Sequence, residues 1–154
     1  MLVLLVRAAD QLYCIRAASV VEVVPRVPLQ PVPHAPGALA GLLHFRSEVI
    51  PVIDLRALVA GSASEALLST RIAVIECGTG SPTRPDGRVE NPPHRRFGLI
   101  AERVTEALQI AESEIEPAPV TLESSRWLGG VLVHDGQLVR ELLVDRFDVQ
   151  EAVA

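Results

Sequence analysis

Short apolar runs separated by turn-forming residues dominate the hydrophobic pattern of this chain. The runs are rich in Val, Ile and Leu, and short β-branched runs predict strands rather than helices. In chain order the predicted strands are Leu2–Val6, Leu12–Ile15, Val20–Val24, Leu39–Phe45, Val49–Leu55, Arg71–Glu76, Phe97–Ile110, Leu128–His134 and Leu138–Leu143. Nine or ten strands with almost no helix predict an all-β fold.

Turn chemistry predicts which of these strands pair locally. Asp10-Gln11 joins the first pair, and Asp135-Gly136 joins the last pair with the positive φ that a tight hairpin requires. Both pairs are therefore predicted to be antiparallel hairpins. Helical pieces are minor: Leu55–Ala60, a turn near residues 111–114, and a short amphipathic tail from Val144 onward.

Two segments interrupt the strand pattern. Five prolines between Pro25 and Pro36 block helix and central strand by removing backbone donors, so an extended surface crossing is expected there. Residues 78–95 lack apolar periodicity and hold Gly, Pro, Asn and several Arg, which predicts an exposed loop. The length of 154 residues suits one domain, taken as residues 1–150, or two very small subdomains within it.

Charge and composition exclude several classes of function. The net charge is −5, and residues 104–154 carry three Arg against ten acidic residues, which argues against nucleic-acid binding. All fourteen basic residues are Arg, so lysine chemistry is absent. The apolar start, Met1–Val6, is too short to span a membrane and lacks signal-peptide features, which predicts a cytoplasmic chain with no direct membrane insertion.

No familiar catalytic or cofactor motif occurs in the chain. Phosphate-loop, dinucleotide, zinc-protease, acyl-transfer and EF-hand patterns are missing, so neither a cofactor nor a metal is predicted. Cys14 and Cys77 lack ligand spacing and are interpreted as small hydrophobic residues. His134-Asp135 suggests a base and its orienting acid, but adjacent strand residues point to opposite faces, so these side chains are expected to diverge.

The most informative segment runs from Gly41 to Arg56 and contains two apolar strands joined across residues 46–48. Pro51 in the second strand removes a ladder donor and predicts an edge strand or a bulge, which would be open to a partner. Asp54 is placed to cap the short helix that follows. Glu22 is an acid inside an apolar strand, and Arg46 at the hairpin tip is expected to pair with it.

The same segment resembles the signature of the CheW-like domain of bacterial chemosensory adaptors. The matching positions are Gly41, Arg46, Pro51, Val52, Asp54, Leu55 and Arg56, and the departures are His44, Phe45 and Ser47. Other family-like segments follow in the family's order at residues 13–24, 31–36, 97–104 and 127–131. Residues 31–36 and 68–72 are more similar to adaptors of Wsp-type surface-sensing systems than to those of flagellar chemotaxis.

The resemblance implies two small five-stranded β-barrels packed side by side and a function without catalysis. Such adaptors bridge the cytoplasmic tips of chemoreceptors and the regulatory domain of a CheA-type histidine kinase, and are recruited to membrane receptor arrays. The residues expected to bind receptor or kinase are Glu22, Val23, Leu42, Phe45, Arg46, Val49 and Ile53. The residues expected to be structural are Pro51, Asp54, Gly98 and Gly130.

A small-molecule or anion-binding barrel, or an enzyme, is the alternative function. Residues 84–96 are rich in Arg and could form a lid over an anionic ligand. An adaptor should show a hydrophobic groove, whereas an enzyme should show titratable residues converging in a concave pocket.

Overall fold

The computed structural model describes residues 1–78 and 94–147, and within them strands are the main regular secondary structure. The strands are β1 Leu2–Ala8, β2 Gln11–Arg16, β3 Val20–Pro25, β4 Leu39–Phe45, β5 Glu48–Asp54, β6 Arg71–Gly78, β7 His94–Ala101, β8 Arg103–Gln109, β9 Leu128–His134 and β10 Gln137–Leu142. Helix α1 spans Leu55–Ala60, and 3-10 turns lie at Ala17–Ser19, Glu112–Glu114, Glu123–Ser125 and Val144–Arg146. The prediction of an all-β fold is confirmed.

The ten strands form two five-stranded sheets whose strand order differs from the chain order. The first sheet has the order β8-β1-β2-β10-β9, and the second has the order β3-β6-β7-β5-β4. Most pairings are antiparallel, but β2 with β10 and β5 with β7 are parallel. The second sheet comes from one continuous stretch, residues 20–101, which is inserted between the strands of the first.

Both predicted hairpins form. In the β9–β10 turn Asp135 and Gly136 have φ angles of 50° and 74°, the pattern of a tight hairpin turn. The β1–β2 turn lies one residue earlier than predicted, because Ala9 and Asp10 take the positive φ angles and Gln11 already pairs with Ala8.

Side-chain contacts, rather than backbone hydrogen bonds, join the two end strands of each sheet. In the second sheet, Arg46 after β4 lies 3.3 Å from Glu22 of β3. In the first sheet, His134 of β9 lies 3.1 Å from Glu106 of β8. Each sheet therefore curls until its ends meet. The two predicted five-stranded subdomains are present, although among the described strands no backbone hydrogen bonds close either of them into a complete barrel.

Three apolar clusters hold the molecule together. One lies within the first sheet and includes Leu5, Cys14 and Val139, and a second lies within the other sheet and includes Ile50 and Ile72. The third, here called the shared core, contains residues from both sheets. Its members include Val6, Tyr13, Ile15, Ile53, Leu55, Ala73, Ile75, Phe97, Leu99, Trp127, Leu142 and Phe147. The two sheets are therefore packed side by side on a common core.

The predicted single run at residues 97–110 is wrong, because the chain changes sheets within it. Strand β7 ends at Ala101 in the second sheet, and β8 begins at Arg103 in the first. Glu102 lies at the crossing, where its backbone N–H donates to the Arg7 carbonyl at 2.9 Å. The predicted loop 78–95 is shortened at both ends, since β6 includes Gly78 and β7 begins at His94, and residues 79–93 lie outside the described part of the chain.

Of the two alternatives that Pro51 predicted, the edge strand is wrong, whereas the register of the β4–β5 pairing does shift close to it, between Leu39 and Gly41. Strand β5 lies between β4 and β7, and Pro51 is tolerated because the pairing with β7 begins only at Val52. The end strand is β4, and its Leu42 exchanges backbone hydrogen bonds of 3.0 and 2.8 Å with Gln30 of the proline-rich crossing. Gly41, with a φ of 151°, permits this contact, because a Cβ there would lie 2.6 Å from the Gln30 carbonyl oxygen.

Asp54 caps helix α1, as predicted. One carboxylate oxygen accepts from the N–H groups of Arg56 at 3.0 Å and Ala57 at 3.4 Å. The carboxylate also accepts from the N–H and hydroxyl of Ser64, both at 2.8 Å. Asp54 is only 3% exposed, so these four donors satisfy a buried charge and fix the loop after the helix.

The two glycines expected to be structural lie at crowded positions. A Cβ on Gly98 of β7 would lie 2.9 Å from Ile72 and 3.0 Å from Val52, one on each neighbouring strand. A Cβ on Gly130 of β9 would lie 2.5 Å from the Glu116 carbonyl oxygen. Residues 115–116 can therefore approach β9 closely because Gly130 has no side chain.

Candidate functional site

The β4–β5 hairpin carries most of the residues expected to bind partners. Its turn consists of Arg46 and Ser47, and Phe45 pairs with Glu48 across it. Arg46 takes the left-handed conformation, with a φ of 55°, and its guanidinium lies 4.9 Å from the centre of the Phe45 ring. The ring fixes the direction of the arginine side chain at the tip of the hairpin.

The predicted contact between Glu22 and Arg46 is confirmed. The carboxylate and guanidinium lie 3.3 Å apart, and their side chains are 45% and 61% exposed. An ion pair this exposed is screened by water and is worth at most about 1 kcal/mol. Its structural effect is to hold the tip of the hairpin against β3, the opposite end strand of the same sheet.

The other predicted contact residues differ in their access to solvent. Val49 is 62% exposed beside the hairpin turn, and Val23 and Leu42 are half-buried. Phe45 is 7% exposed and Ile53 has no exposed surface. Ile53 therefore has no surface with which to touch a partner, and its place in the shared core gives it a supporting role.

A rim of partly buried apolar side chains follows the junction between the two sheets. Val23, Leu39, Leu58 and Val104 all pack against the shared core while keeping part of their surface open. Strands β3, β4 and β8 and helix α1 each contribute to this set, here called the junction rim. Sequence reasoning missed Leu58 and Val104 because only the sheet order reveals that they face the same core.

A cleft of 640 Å³ lies at the same junction, between strands β1 and β8 and the loop that follows α1. Charged residues from both sides line it, among them Arg7, Arg56, Glu102 and Arg103. The described lining contains neither His nor Cys, so it offers no side chain whose ordinary pKa lies near neutrality. Sequence reasoning also missed this cleft, because its residues come from separate parts of the chain.

An ion pair between Arg56 and Glu102 crosses the floor of the cleft. The guanidinium donates to the carboxylate at 2.6 Å, and the N–H of Ala9 donates to the same oxygen at 3.1 Å. Burial acts to raise the pKa of the Glu102 carboxyl, but the hydrogen bonds from Arg56 and Ala9 and the positive charge of Arg56 outweigh it. The pKa of Glu102 is therefore lowered, and its carboxylate is ionised at neutral pH.

We expect the stability contributed by Glu102 to disappear in acid. Because its folded-state pKa lies below the unfolded value of about 4.3, the contribution is full above that pH and is lost as the pH falls through the folded pKa. Urea unfolding of the wild-type chain and a Glu102→Gln variant from pH 7 to pH 3 measures this. The difference in unfolding free energy between the wild-type chain and the variant should decrease below about pH 4.3. A difference that stays constant with pH would contradict a lowered pKa for Glu102.

The expectation that the His134 and Asp135 side chains diverge is wrong. His134 Nε2 lies 3.4 Å from an Asp135 carboxylate oxygen, because Asp135 belongs to the turn and has a φ of 50°. Glu106 approaches the same nitrogen, and donor atoms of all three residues lie within 4.8 Å of one another, a spacing that a metal ion could use. Both carboxylate residues are exposed, and the observed contacts join strand β8 to the β9–β10 hairpin.

Neither the thiol at residue 14 nor the described arginine of the proposed lid supports the alternative function. Burial and the nearby Glu141 charge raise the pKa of Cys14 to about 12, so its thiol stays protonated and is a poor nucleophile. Arg96 of segment 84–96 is paired with Glu76 at 2.7 Å and with Glu48 at 3.4 Å. The Arg96 guanidinium is therefore already paired with two carboxylates of the protein. Residues 84–93 lie outside the described part of the chain.

A model of the CheW-like domain family matches residues 2–150. The chain belongs to the CheW-like domain family. Among curated relatives, the chemotaxis protein CheW of Rhizobium meliloti (strain 1021) is 26% identical over 135 residues, covering 86% of this chain and 77% of that protein. The chemotaxis protein CheW of Helicobacter pylori (strain ATCC 700392 / 26695) is 27% identical over 137 residues, covering 88% and 74%.

The fold has a solved counterpart in the same family. The crystal structure of the scaffolding protein TtCheW from Thermoanaerobacter tengcongensis superposes with a TM-score of 0.74 and 26% sequence identity. The match covers 92% of this chain and 82% of that one. The prediction of a CheW-like chemosensory adaptor is confirmed, and the alternative of a ligand-binding or enzymatic barrel is not favoured.

Within the described residues, no helix has the length and the apolar character needed to cross a membrane.

Proposed function

We propose that this chain acts without catalysis in the cytoplasm, bridging a chemoreceptor tip and the regulatory domain of a CheA-type histidine kinase at membrane receptor arrays. The observation that carries the proposal is the family match over residues 2–150, together with the scaffold of known structure that shares the fold. The output of the complex, whether chemotaxis or Wsp-type surface sensing, stays a prediction, although the curated relatives are named chemotaxis proteins.

The receptor surface is proposed to be the apolar groove bounded by strands β3, β4 and β5. Receptor tips in this family are helical hairpins, and a helix binds by laying an apolar stripe into a hydrophobic groove. Val23 and Leu39 of the junction rim supply half-buried apolar surface on two of these strands.

The kinase surface is proposed to be the end of the second sheet where the β4–β5 hairpin turns. Val49 presents an apolar side chain there, 62% exposed beside the Arg46–Ser47 turn. The kinase regulatory domain is homologous to the adaptor in this family, so two sheet ends can meet in a pseudo-symmetric contact. The Glu22–Arg46 ion pair joins this end of the sheet to strand β3.

We expect Arg46→Glu and Val49→Asp each to weaken assembly of the complex while leaving the fold intact. Arg46→Glu places a second carboxylate beside Glu22, and Val49→Asp brings a charge into an apolar contact that excludes water. A reconstituted mixture of chain, receptor signalling fragment and kinase measures both assembly and kinase activity. A loss of about tenfold or more in apparent affinity is expected, which corresponds to roughly 1.4 kcal/mol.

Val120→Asp is the matched control for Val49→Asp, because Val120 is 68% exposed but lies outside the second sheet. It should leave assembly unchanged, and all three variants should unfold cooperatively with a free energy of unfolding within about 1 kcal/mol of the wild-type value. Native stability with full kinase coupling in both test variants would show that the hairpin end is not a contact surface. Turnover of any substrate by the purified chain would contradict the adaptor function itself.

A further inference from the structure

Two arginines face each other across the β1–β8 ladder on the wall of the junction cleft. Arg7 and Arg103 are direct cross-strand partners, so their side chains leave the sheet on the same face. Both line the cleft. Like charges placed directly opposite each other destabilise a ladder.

These two arginines lack a carboxylate partner within the described residues. No described carboxylate oxygen lies within 4.0 Å of either guanidinium. Glu102 senses the charge of Arg7, but its carboxylate already accepts hydrogen bonds from Arg56 and Ala9. The exposed Glu65 on the opposite wall does not balance two cations. The cleft therefore carries unpaired positive charge in a chain whose net charge is −5.

An exposed leucine, Leu67, lines the same cleft and belongs to a hydrogen-bonded turn together with Leu68. Leu67 is 57% exposed and Leu68 is 97% exposed. The hydroxyl of Thr70, which is 1% exposed, accepts from the Leu67 N–H at 3.1 Å and donates to the Glu65 carbonyl at 2.7 Å. Arg71 also donates to the Leu68 carbonyl, so the turn is held in one conformation. A small anion makes no favourable contact with fixed apolar side chains, whereas a protein partner can pack its own apolar side chains against them.

We infer that this cleft binds an acidic segment of the chemoreceptor tip, with partner carboxylates paired to Arg7 and Arg103 and a partner apolar side chain against Leu67. Charge complementarity identifies the segment as acidic. The cleft is lined by Arg7 and Arg103 of the first sheet and by Arg56 and Thr70, which flank strands of the second, so it lies at the same junction as the proposed receptor groove. This inference rests on the proposed function and assigns a chemical class to one part of the receptor contact.

The absence of lysine allows a direct test. An Arg7→Lys or Arg103→Lys variant contains a single lysine, and a water-soluble carbodiimide joins that amine to a carboxylate only when the two groups are in ionic contact. Each variant is mixed with the receptor signalling fragment, and the cross-linked residues are identified by mass spectrometry. We expect adducts between the new lysine and Asp or Glu of the receptor. Their yield should exceed several-fold the yield from the wild-type chain, which has no lysine and offers only its N-terminal amine.

Arg126→Lys is the matched control, because Arg126, like Arg103, is exposed but lies outside the cleft lining, and it should give no receptor adduct. Arg103→Gln should also weaken receptor binding about two- to fivefold and reduce its salt dependence. If the lysine variants bind the receptor fragment as tightly as the wild-type chain does but give no adducts, the inference is overturned and the adaptor function is left intact. If the wild-type chain itself does not bind the receptor fragment, the proposed function is overturned, and with it this inference.

Inorganic phosphate tests whether the cleft binds a small anion instead of an acidic protein segment. We expect phosphate to leave the thermal unfolding midpoints of the wild-type chain and of Arg103→Gln equally unaffected, once ionic strength is matched. Stabilisation of the wild-type chain alone, together with absent receptor adducts, would make the cleft a small-anion site and overturn the inference.

Discussion

Replacing Phe147 by alanine is expected to lower the free energy of unfolding by about 3–5 kcal/mol. Phe147 has no exposed surface and lies in the shared core, with ring centres 5.7 Å from Phe97 and 5.3 Å from Trp127. The substitution opens a cavity at the place where both sheets meet, and rigid β-strands on either side can close it only in part. Urea unfolding followed by tryptophan fluorescence measures the loss.

Leu138→Ala is the matched control, because Leu138 is 65% exposed on the outer surface of the β9–β10 hairpin. Its effect should stay within about 0.5 kcal/mol. Circular dichroism should report the same midpoint as fluorescence for both variants, since the shared core couples the two sheets into one unfolding unit. A loss below about 1 kcal/mol for Phe147→Ala would show that this ring does not hold the sheets together.

Asp54→Ala is expected to cost about 3 kcal/mol. The substitution removes the acceptor of four hydrogen bonds, two to the start of α1 and two to Ser64. The site is buried, so water replaces these bonds only if the helix and its following loop loosen. Chemical denaturation measures the total, and hydrogen exchange at the N–H groups of Arg56 and Ser64 locates it.

Two further variants separate the parts of this network. Ser64→Ala removes one of the four donors and should cost about 1 kcal/mol. Glu123→Ala removes a carboxylate that is 91% exposed and should change stability by less than about 0.5 kcal/mol. Equal losses for Asp54→Ala and Glu123→Ala would mean that the cap contributes no more than any surface charge.

Local signals predicted the elements of this fold well. The Asp135-Gly136 turn requires positive φ angles, and strands 39–45 and 128–134 end where turn residues begin, so both follow from nearby residues. The contact between Glu22 and Arg46 was predictable because an acid in an apolar strand needs a partner and the family resemblance places the two strands together.

Long-range pairing explains what the sequence did not reveal. The parallel contacts of β2 with β10 and of β5 with β7 join distant segments, and no local rule encodes them. Pro51 was misplaced for this reason, since its tolerance depends on where β7 begins to pair. The cross-strand pairing of Arg7 with Arg103 also depends on a register shift between Leu5 and Val6, which no residue pattern in either strand predicts.

The insertion of the second sheet into the first sets an order of events at the ribosome. Residues 20–101 contain every strand of the second sheet, so that sheet can pair internally once this stretch has emerged. The β1–β2 hairpin emerges earliest, yet its partners β8 and β10 are translated last. A nascent chain therefore carries two unpaired strand edges through most of synthesis, which makes this hairpin the segment most exposed to misassociation before translation ends.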